Sequence, residues 1–169
     1  TGSQLNYFGN DNWQKFSPGL KNIEDATYLR HNILEAFEKA ERSNNSEELK
    51  QLMTFVIIGG GPTGIEISSS IAELSKKVLV KDFKNINTKK TKIILLEAGE
   101  RLLSSAAKNL SIYSKNKLET IGVEVQCNTS VKEIKYNEVL TSNGKIQSSN
   151  IIWCAGINSS PIKKWINIE

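Results

Sequence analysis

The sequence predicts an α/β fold, a parallel sheet with helices on both faces and a small antiparallel β-meander, on three observations. Residues 54–58 and 92–96 are short, continuous apolar runs rich in branched side chains, the pattern of strands covered on both faces. A glycine-rich turn, "GGGPTG", follows the first run and leads into a segment of helical spacing. Brief alternating segments bounded by turn residues then replace the helical pattern late in the chain.

The opening "TGSQLNYFGNDNW" carries no capping signal; it reads as the continuation of a larger protein, with Trp13 in a loop. From Ile23 the apolar positions Ala26, Leu29, Ile33, Phe37 and Ala40 recur at helical spacing, with acids early and Lys39 and Arg42 late, as a helix dipole favours. The polar run "RSNNSEELK" reads as a linker, which puts a domain boundary near residue 50 and divides the chain into 1–50 and 51–169.

Past that boundary comes the first buried strand, and Pro62 suits the first turn of the helix after it, where a missing N–H donor costs nothing. Gly64, Ser68 and Ala72 make one face of that helix small enough to approach a sheet closely. The Lys-rich "KDFKNINTKKT" is a loop leading to the second strand. Ala107, Leu110, Ser114, Leu118 and Ile121 mark a further helix with Gly122 at its C-cap. "VEVQ", "VKEIKY", "EVLTS" and "KIQSS" form the meander, with an Asn143-Gly144 turn between the last two, and "NIIWCAG" is a returning buried strand.

With 38% hydrophobic residues in 169, the chain can bury one substantial core. Its net charge of +4 is carried almost wholly by Lys, with Arg only at positions 30, 42 and 101, so guanidinium forks for phosphates or base edges are scarce. No basic cluster is interleaved with stacking aromatics, which argues against nucleic-acid binding. Cys127 and Cys154 have no metal-ligand spacing and only His31 as a companion, so the expectation is two reduced intracellular thiols and no metal. No apolar stretch approaches a membrane span, and the chain by itself is expected to be soluble. His31 reads as a helix-surface residue and Trp153 as a buried strand residue.

Gly59, Gly61 and Gly64 fit the spacing GxGxxG, and each position answers a different demand. The first permits the tight turn, the second lets a pyrophosphate touch backbone, and the third lets helix meet strand. With Gly60, Pro62 and Thr63 they place the unpaired N–H groups and positive dipole end of a helix against an anion. Because this turn lies between a buried strand and a small-faced helix, the predicted fold is Rossmann-like and the ligand a dinucleotide. Glu97 closes "KIILLE", ahead of Ala98, where an acid accepts the adenosine ribose hydroxyls; it lies beyond the usual spacing, and the Lys-rich loop accounts for the excess. A carboxylate there repels a 2′-phosphate, which favours NADH over NADPH.

Glu66 has two readings. An acid in a first helical turn is stabilised by the dipole alone; the functional alternative has it facing the nicotinamide end, able to accept from the carboxamide or handle a proton. Tyr113 and Lys117 form a YxxxK pair like the acid/base pair of short-chain dehydrogenases, but that class needs a partner Ser and another glycine spacing, so the pair reads as a coincidence.

The segments "NYFGNDNW", "LKNIEDATYLRHNILEAFEKAE", "FVIIGGGPTGIE", "KDFKNIN", "LLEAGERLL", "YSKNKLETIGVEV" and "IIWCAGINSSP" resemble, in order, stretches of the type II NADH dehydrogenases, flavoproteins with two dinucleotide-binding domains. The resemblance implies that residues 1–50 are a helical segment of the FAD-binding domain and 51–169 the NAD(H)-binding domain with the start of the return segment. By the same carry-over Gly59, Gly61 and Gly64 hold the pyrophosphate, Glu97 the adenosine ribose, and Glu66 lies near the nicotinamide. Thr1 and Gly2 match a strand end near the flavin, and Ala155 and Gly156 the equivalent strand end of the NADH domain. Cys154 and Ser104 stand where the family more often has Ala and Pro.

In such enzymes NADH reduces FAD, which reduces a membrane quinone, and the parent is expected to sit peripherally on the inner face of a respiratory membrane. The family's first GxGxxG and its membrane anchor are not in this sequence, so the chain alone is expected to bind NADH and to hold no FAD. Homodimer formation, with a second copy covering the apolar face of the first helix, is left open. A non-catalytic Rossmann module that senses NADH is the competing reading, and a yellow or a colourless parent protein would separate the two.

Overall fold

The computed structural model describes residues 3–159. Its central layer is a four-stranded, all-parallel sheet built from strands β2 (Thr54–Ile58), β3 (Lys92–Leu96), β4 (Glu124–Gln126) and β8 (Asn150–Trp153), in spatial order β4-β3-β2-β8. The register sets Ile58 level with Leu96 and Trp153, so β2, β3 and β8 end at one edge and their following turns share it. A doubly wound sheet offers its ligand crevice at that edge, where the strand order reverses between β2 and β8.

The bounds of β2 and β3 coincide with the two apolar runs, and every β2 residue is buried. Their side chains alternate between two cores. Phe55, Ile57, Ile93, Leu95 and Ile152 meet the helices, while Val56, Ile58, Ile94, Leu96, Ile151 and Trp153 face the other way. The helical layer comprises α1 (Ile23–Arg42), α2 (Ser46–Leu52), α3 (Pro62–Glu73) and α4 (Lys108–Thr120). Among the described residues, the opposite face carries a short 3₁₀ helix, Asp11–Lys15, and is otherwise covered by the antiparallel meander β5 (Val131–Lys135), β6 (Glu138–Thr141) and β7 (Gly144–Gln147).

Several local expectations change. The supposed linker after Arg42 shrinks to Ser43–Asn45, because Asn45 caps α2 by accepting from the N–H groups of Glu47 and Glu48, with both acids in the favoured first turn. The boundary near residue 50 therefore falls inside a helix. "VEVQ" belongs to the parallel sheet as its edge strand β4, not to the meander; α4 delivers it beside β3, and a short half-buried strand carries no sign of which partner it will take. The meander's last turn is Ser142-Asn143, one residue earlier than expected, with Gly144 at φ +126° starting β7.

In α4 it is Ser111 and Leu118 that are buried, whereas Leu110 is 51% exposed, since the helix presents a narrower face to the sheet than its spacing suggests. Trp13 is a buried part of the 3₁₀ helix instead of a loop residue, in an aromatic cluster where Tyr7 stacks on Trp153 at 4.9 Å and Trp13 meets it edge-on at 5.8 Å. The Lys-rich loop is shorter than "KDFKNINTKKT", with 3₁₀ turns at Leu79–Lys81 and Thr88–Lys90. It is held by Glu41 at the end of α1, whose carboxylate accepts from the N–H groups of Lys84, Asn85 and Ile86 at 2.9–3.1 Å.

The N-terminal segment lies against the same sheet. Strand β1 (Ser3–Leu5) pairs antiparallel with β9 (Ile157–Ser159), the Trp153 N–H donates to the Pro18 carbonyl at 3.0 Å, and the Phe37 ring sits 5.5 Å from that of Phe55.

Candidate functional site

The glycine turn leaves the end of β2 and enters α3. Gly59 takes φ +114°, and a methyl group there would stand 2.7 Å from the Ala155 amide nitrogen and 2.8 Å from the Cys154 carbonyl carbon, so the turn presses on the end of β8. A methyl on Gly64 would overlap the Gly59 carbonyl oxygen, which is what close contact between helix and turn requires. Gly61 is the contrast: a methyl there meets nothing within 4 Å. Backbone is thus crowded at the first and third glycines and open at the second, above a twelve-residue helix whose N-cap is Gly61 and which no side chain caps.

Glu97 follows β3 and turns back onto the glycines. Its Oε2 accepts from the Gly60 N–H and its Oε1 from the Gly99 N–H, each at 2.7 Å. Each carboxylate oxygen keeps a second acceptor site, so ribose hydroxyls can be added to these bonds. The Glu97 backbone is fixed as well, donating to the Gln126 carbonyl and accepting from the Thr129 N–H, both at 2.9 Å.

A cleft of about 420 Å³ gathers Gly59, Gly60, Gly61, Glu97, Ala98, Ala155 and Gly156 from the expected set, at the carboxyl edge of the sheet. Pro62, Thr63 and Gly64 begin α3 beside it. Glu66 is not brought to this cleft. It is exposed on α3 and lines a separate groove of about 460 Å³ between α1 and α3, together with Arg30 and apolar side chains. Thr1 and Gly2 lie outside the described residues. Tyr113 is 66% exposed on α4, away from both, which leaves the YxxxK pair without a site.

Three of the contributors that sequence reasoning missed bear on the site's shape. Phe8 and Asn10 form part of one wall of the cleft; their segment, "NYFGNDNW", is singled out in the sequence only for its family resemblance, with no role given to either residue. Arg101 is the third: its guanidinium donates to the carbonyls of Leu103, Ser104 and Ala106 and so shapes the loop beyond Glu97. Cys154, on the cleft wall, has its thiol pushed up to about 12 by burial, so it is neutral at any physiological pH. Both cysteines are free thiols, and among the described residues no cluster of His, Cys, Asp and Glu could hold a metal ion.

A parallel sheet with a glycine turn under a helix N-terminus and an acid at the end of the neighbouring strand is the arrangement of the Rossmann-like fold class. The comparison with protein families agrees and narrows the class: the pyridine nucleotide-disulphide oxidoreductase pattern matches residues 1–166, and the chain belongs to that family.

Among individual proteins it is similar to the type II NADH:quinone oxidoreductase Ndh of Mycobacterium tuberculosis, 37% identical over 164 residues, which are 94% of this chain and 35% of that protein. It is 33% identical over 173 residues to the mitochondrial external alternative NAD(P)H-ubiquinone oxidoreductase B4 of Arabidopsis thaliana, covering 96% of this chain and 29% of that one. Among solved structures it resembles NDH2 of Plasmodium falciparum in complex with NADH, with a TM-score of 0.85, 25% identity, and coverage of 95% of this chain and 34% of that chain. The chain thus spans about a third of the length of these relatives. No described helix is long and apolar enough to cross a membrane.

Proposed function

We propose that this chain is the NADH-binding part of a flavoprotein NADH dehydrogenase. The observation that carries the reading is the contrast within the glycine turn, where backbone blocks a side chain at Gly59 and Gly64 and leaves open space at Gly61. A pyrophosphate fits there, received by the N–H groups of the first turn of α3 and by its dipole, with no cationic side chain needed. Glu97 then accepts the adenosine ribose hydroxyls while keeping its bonds to Gly60 and Gly99, and its charge disfavours a 2′-phosphate, which selects NADH over NADPH.

Ala98 borders the adenosine end, while Ala155 and Gly156 leave room for the dinucleotide at the end of β8. The structure puts Glu66 in the groove between α1 and α3, outside the cleft, so its assignment to the nicotinamide end rests on the family resemblance alone.

When bound in the parent, NADH supplies a hydride and FAD accepts it. The residues of this chain bind the dinucleotide, fix its adenosine half and set its reach toward the flavin. Residues 1–50 are read as a segment of the FAD-binding domain and 51–169 as the NAD(H)-binding domain. Quinone as the final acceptor, a peripheral place on the inner face of a respiratory membrane, and a homodimer belong to the parent; the names of the relatives support the first of these.

Calorimetric titration of the chain with NADH and NADPH, repeated with Glu97→Ala, tests the reading. Tighter NADH binding is expected, weakened about tenfold to a hundredfold by the substitution, as the loss of a charged hydrogen bond implies. A folded chain that binds neither nucleotide refutes it.

A further inference from the structure

Arg101 spends its charge on its own loop. Nη1 donates to the Leu103 carbonyl at 3.2 Å and the Ala106 carbonyl at 3.0 Å, and Nη2 to the Ser104 carbonyl at 2.5 Å. A planar fork satisfied by three carbonyls dictates the path of the backbone that carries them. Leu103 is held at φ +50°, a conformation that a branched-chain residue adopts only where its surroundings impose it.

That path ends on the glycine turn. The Leu103 N–H donates to the Gly60 carbonyl at 2.9 Å, and the fully buried Leu102 places its Cδ2 2.6 Å from where a Gly60 methyl would stand. On its other side the Gly60 N–H donates to Glu97. Gly60 is therefore gripped between the Arg101 loop and the acid, and both peptide groups that flank it are bonded to the segment 97–103.

We infer that Arg101 is a positioning residue for the adenosine half of the site. It holds Leu102 and Leu103 against Gly60, which keeps the Glu97 carboxylate in register with the pyrophosphate turn. Its effect on binding rests on the dinucleotide reading above; its effect on Gly60 does not.

The test uses four forms of the full chain: unsubstituted, Arg101→Gln, Glu97→Ala and the double variant. Three quantities are read: affinity for ADP-ribose, affinity for reduced nicotinamide mononucleotide, and amide hydrogen exchange at Gly60 and Leu103. Arg101→Gln is expected to weaken ADP-ribose about tenfold, the lower bound for a lost charged hydrogen bond, and to leave the mononucleotide unchanged. The double variant should bind no more weakly than Glu97→Ala alone, because the two residues act through one peptide group. Exchange at Gly60 and Leu103 should quicken in Arg101→Gln relative to the rest of β2 and β3.

Equal losses for both ligands, a loss that multiplies with that of Glu97→Ala, or unchanged exchange at the two amides each overturns the inference. If Arg101→Gln does not fold, Arg101→Lys, which offers one ammonium to three carbonyls, takes its place with the same expectations. Should the unsubstituted chain bind neither ligand, the dinucleotide reading fails, and exchange at Gly60 and Leu103 alone decides the role of Arg101.

Discussion

Substituting Gly59 and Gly61 by alanine separates the two tasks of the turn, because one position is closed by protein and the other is open. At Gly61 the backbone, φ −76° and ψ −178°, is one that alanine adopts freely, and the new methyl touches nothing within 4 Å. Removing glycine's freedom from the unfolded chain stabilises by about 0.4–1 kcal/mol. Alanine is also a poorer N-cap than glycine, by roughly the same amount. The two nearly cancel, so Tm should move by less than about 3 °C at the usual 2–4 °C per kcal/mol for a chain of this size.

At Gly59, φ +114° makes alanine strained by about 1–3 kcal/mol. Overlap with the Ala155 amide nitrogen, 2.7 Å from the added methyl, costs about 1–3 kcal/mol more. A Tm loss of roughly 5–20 °C follows. Binding should rank the other way: the Gly61→Ala methyl occupies the space assigned to the pyrophosphate and should raise the NADH Kd about tenfold to a hundredfold, as one lost charged hydrogen bond does. Differential scanning calorimetry without nucleotide and titration with NADH give both numbers. A folded Gly61→Ala chain that binds NADH as the unsubstituted chain does refutes the placement of the ligand, and an unchanged Tm for Gly59→Ala refutes the close approach to β8.

Glu41 gives a pH signature. Desolvation acts to raise its carboxyl, but amide bonds from Lys84, Asn85 and Ile86 and the nearby Lys84 charge prevail and hold it below its ordinary 4.5. A depressed folded-state value contributes stability that is complete above 4.5 and is lost as pH falls below it, so Glu41→Gln should flatten the acid limb of the Tm-against-pH curve. Among the thiols, burial pushes Cys154 up to about 12 and raises Cys127 less, so iodoacetamide at pH 8 should label Cys127 first, as read by mass spectrometry. Gly122, at φ +81° after α4, has the Lys76 ammonium where a methyl would go, and that ammonium donates to the Ile121 and Gly122 carbonyls at 3.0 and 2.8 Å. Gly122→Ala should therefore lower Tm by about 2–12 °C, for strain on the order of 1–3 kcal/mol.

What the sequence disclosed and what it hid divide along physical lines. Strands β2 and β3 were legible to the residue, since residues 55–58 and 93–96, covered on both faces, are apolar without a break and the turns beyond them are not. The glycine turn was legible for the same reason: contact between backbones admits one residue type. Strand β4 and helix α2 were misread because each buries little. With two large apolar residues in seven, α2 carries only the signature of its cap, and the pattern of β4 fits either sheet. The bonds that Glu97 makes to Gly60 and Gly99, and the path Arg101 imposes, depend on how loops return to the turn, which periodicity does not encode. Glu66 shows the limit of spacing within a helix: its position relative to the turn was readable, whereas the groove it lines is made by α1 as much as by α3.

Strands β1 and β9 lie side by side and antiparallel, Ser3 opposite Ser159, although 153 residues of sheet, helix and meander run between Ser3 and Ile157, the first residue of each strand. The first and last described strands thus share one two-stranded seam. Chain ends held side by side let a piece of protein be joined to a second fold at one place, both connections crossing a single seam. On the proposed reading, that seam is where the piece carrying the dinucleotide cleft would be joined to another host.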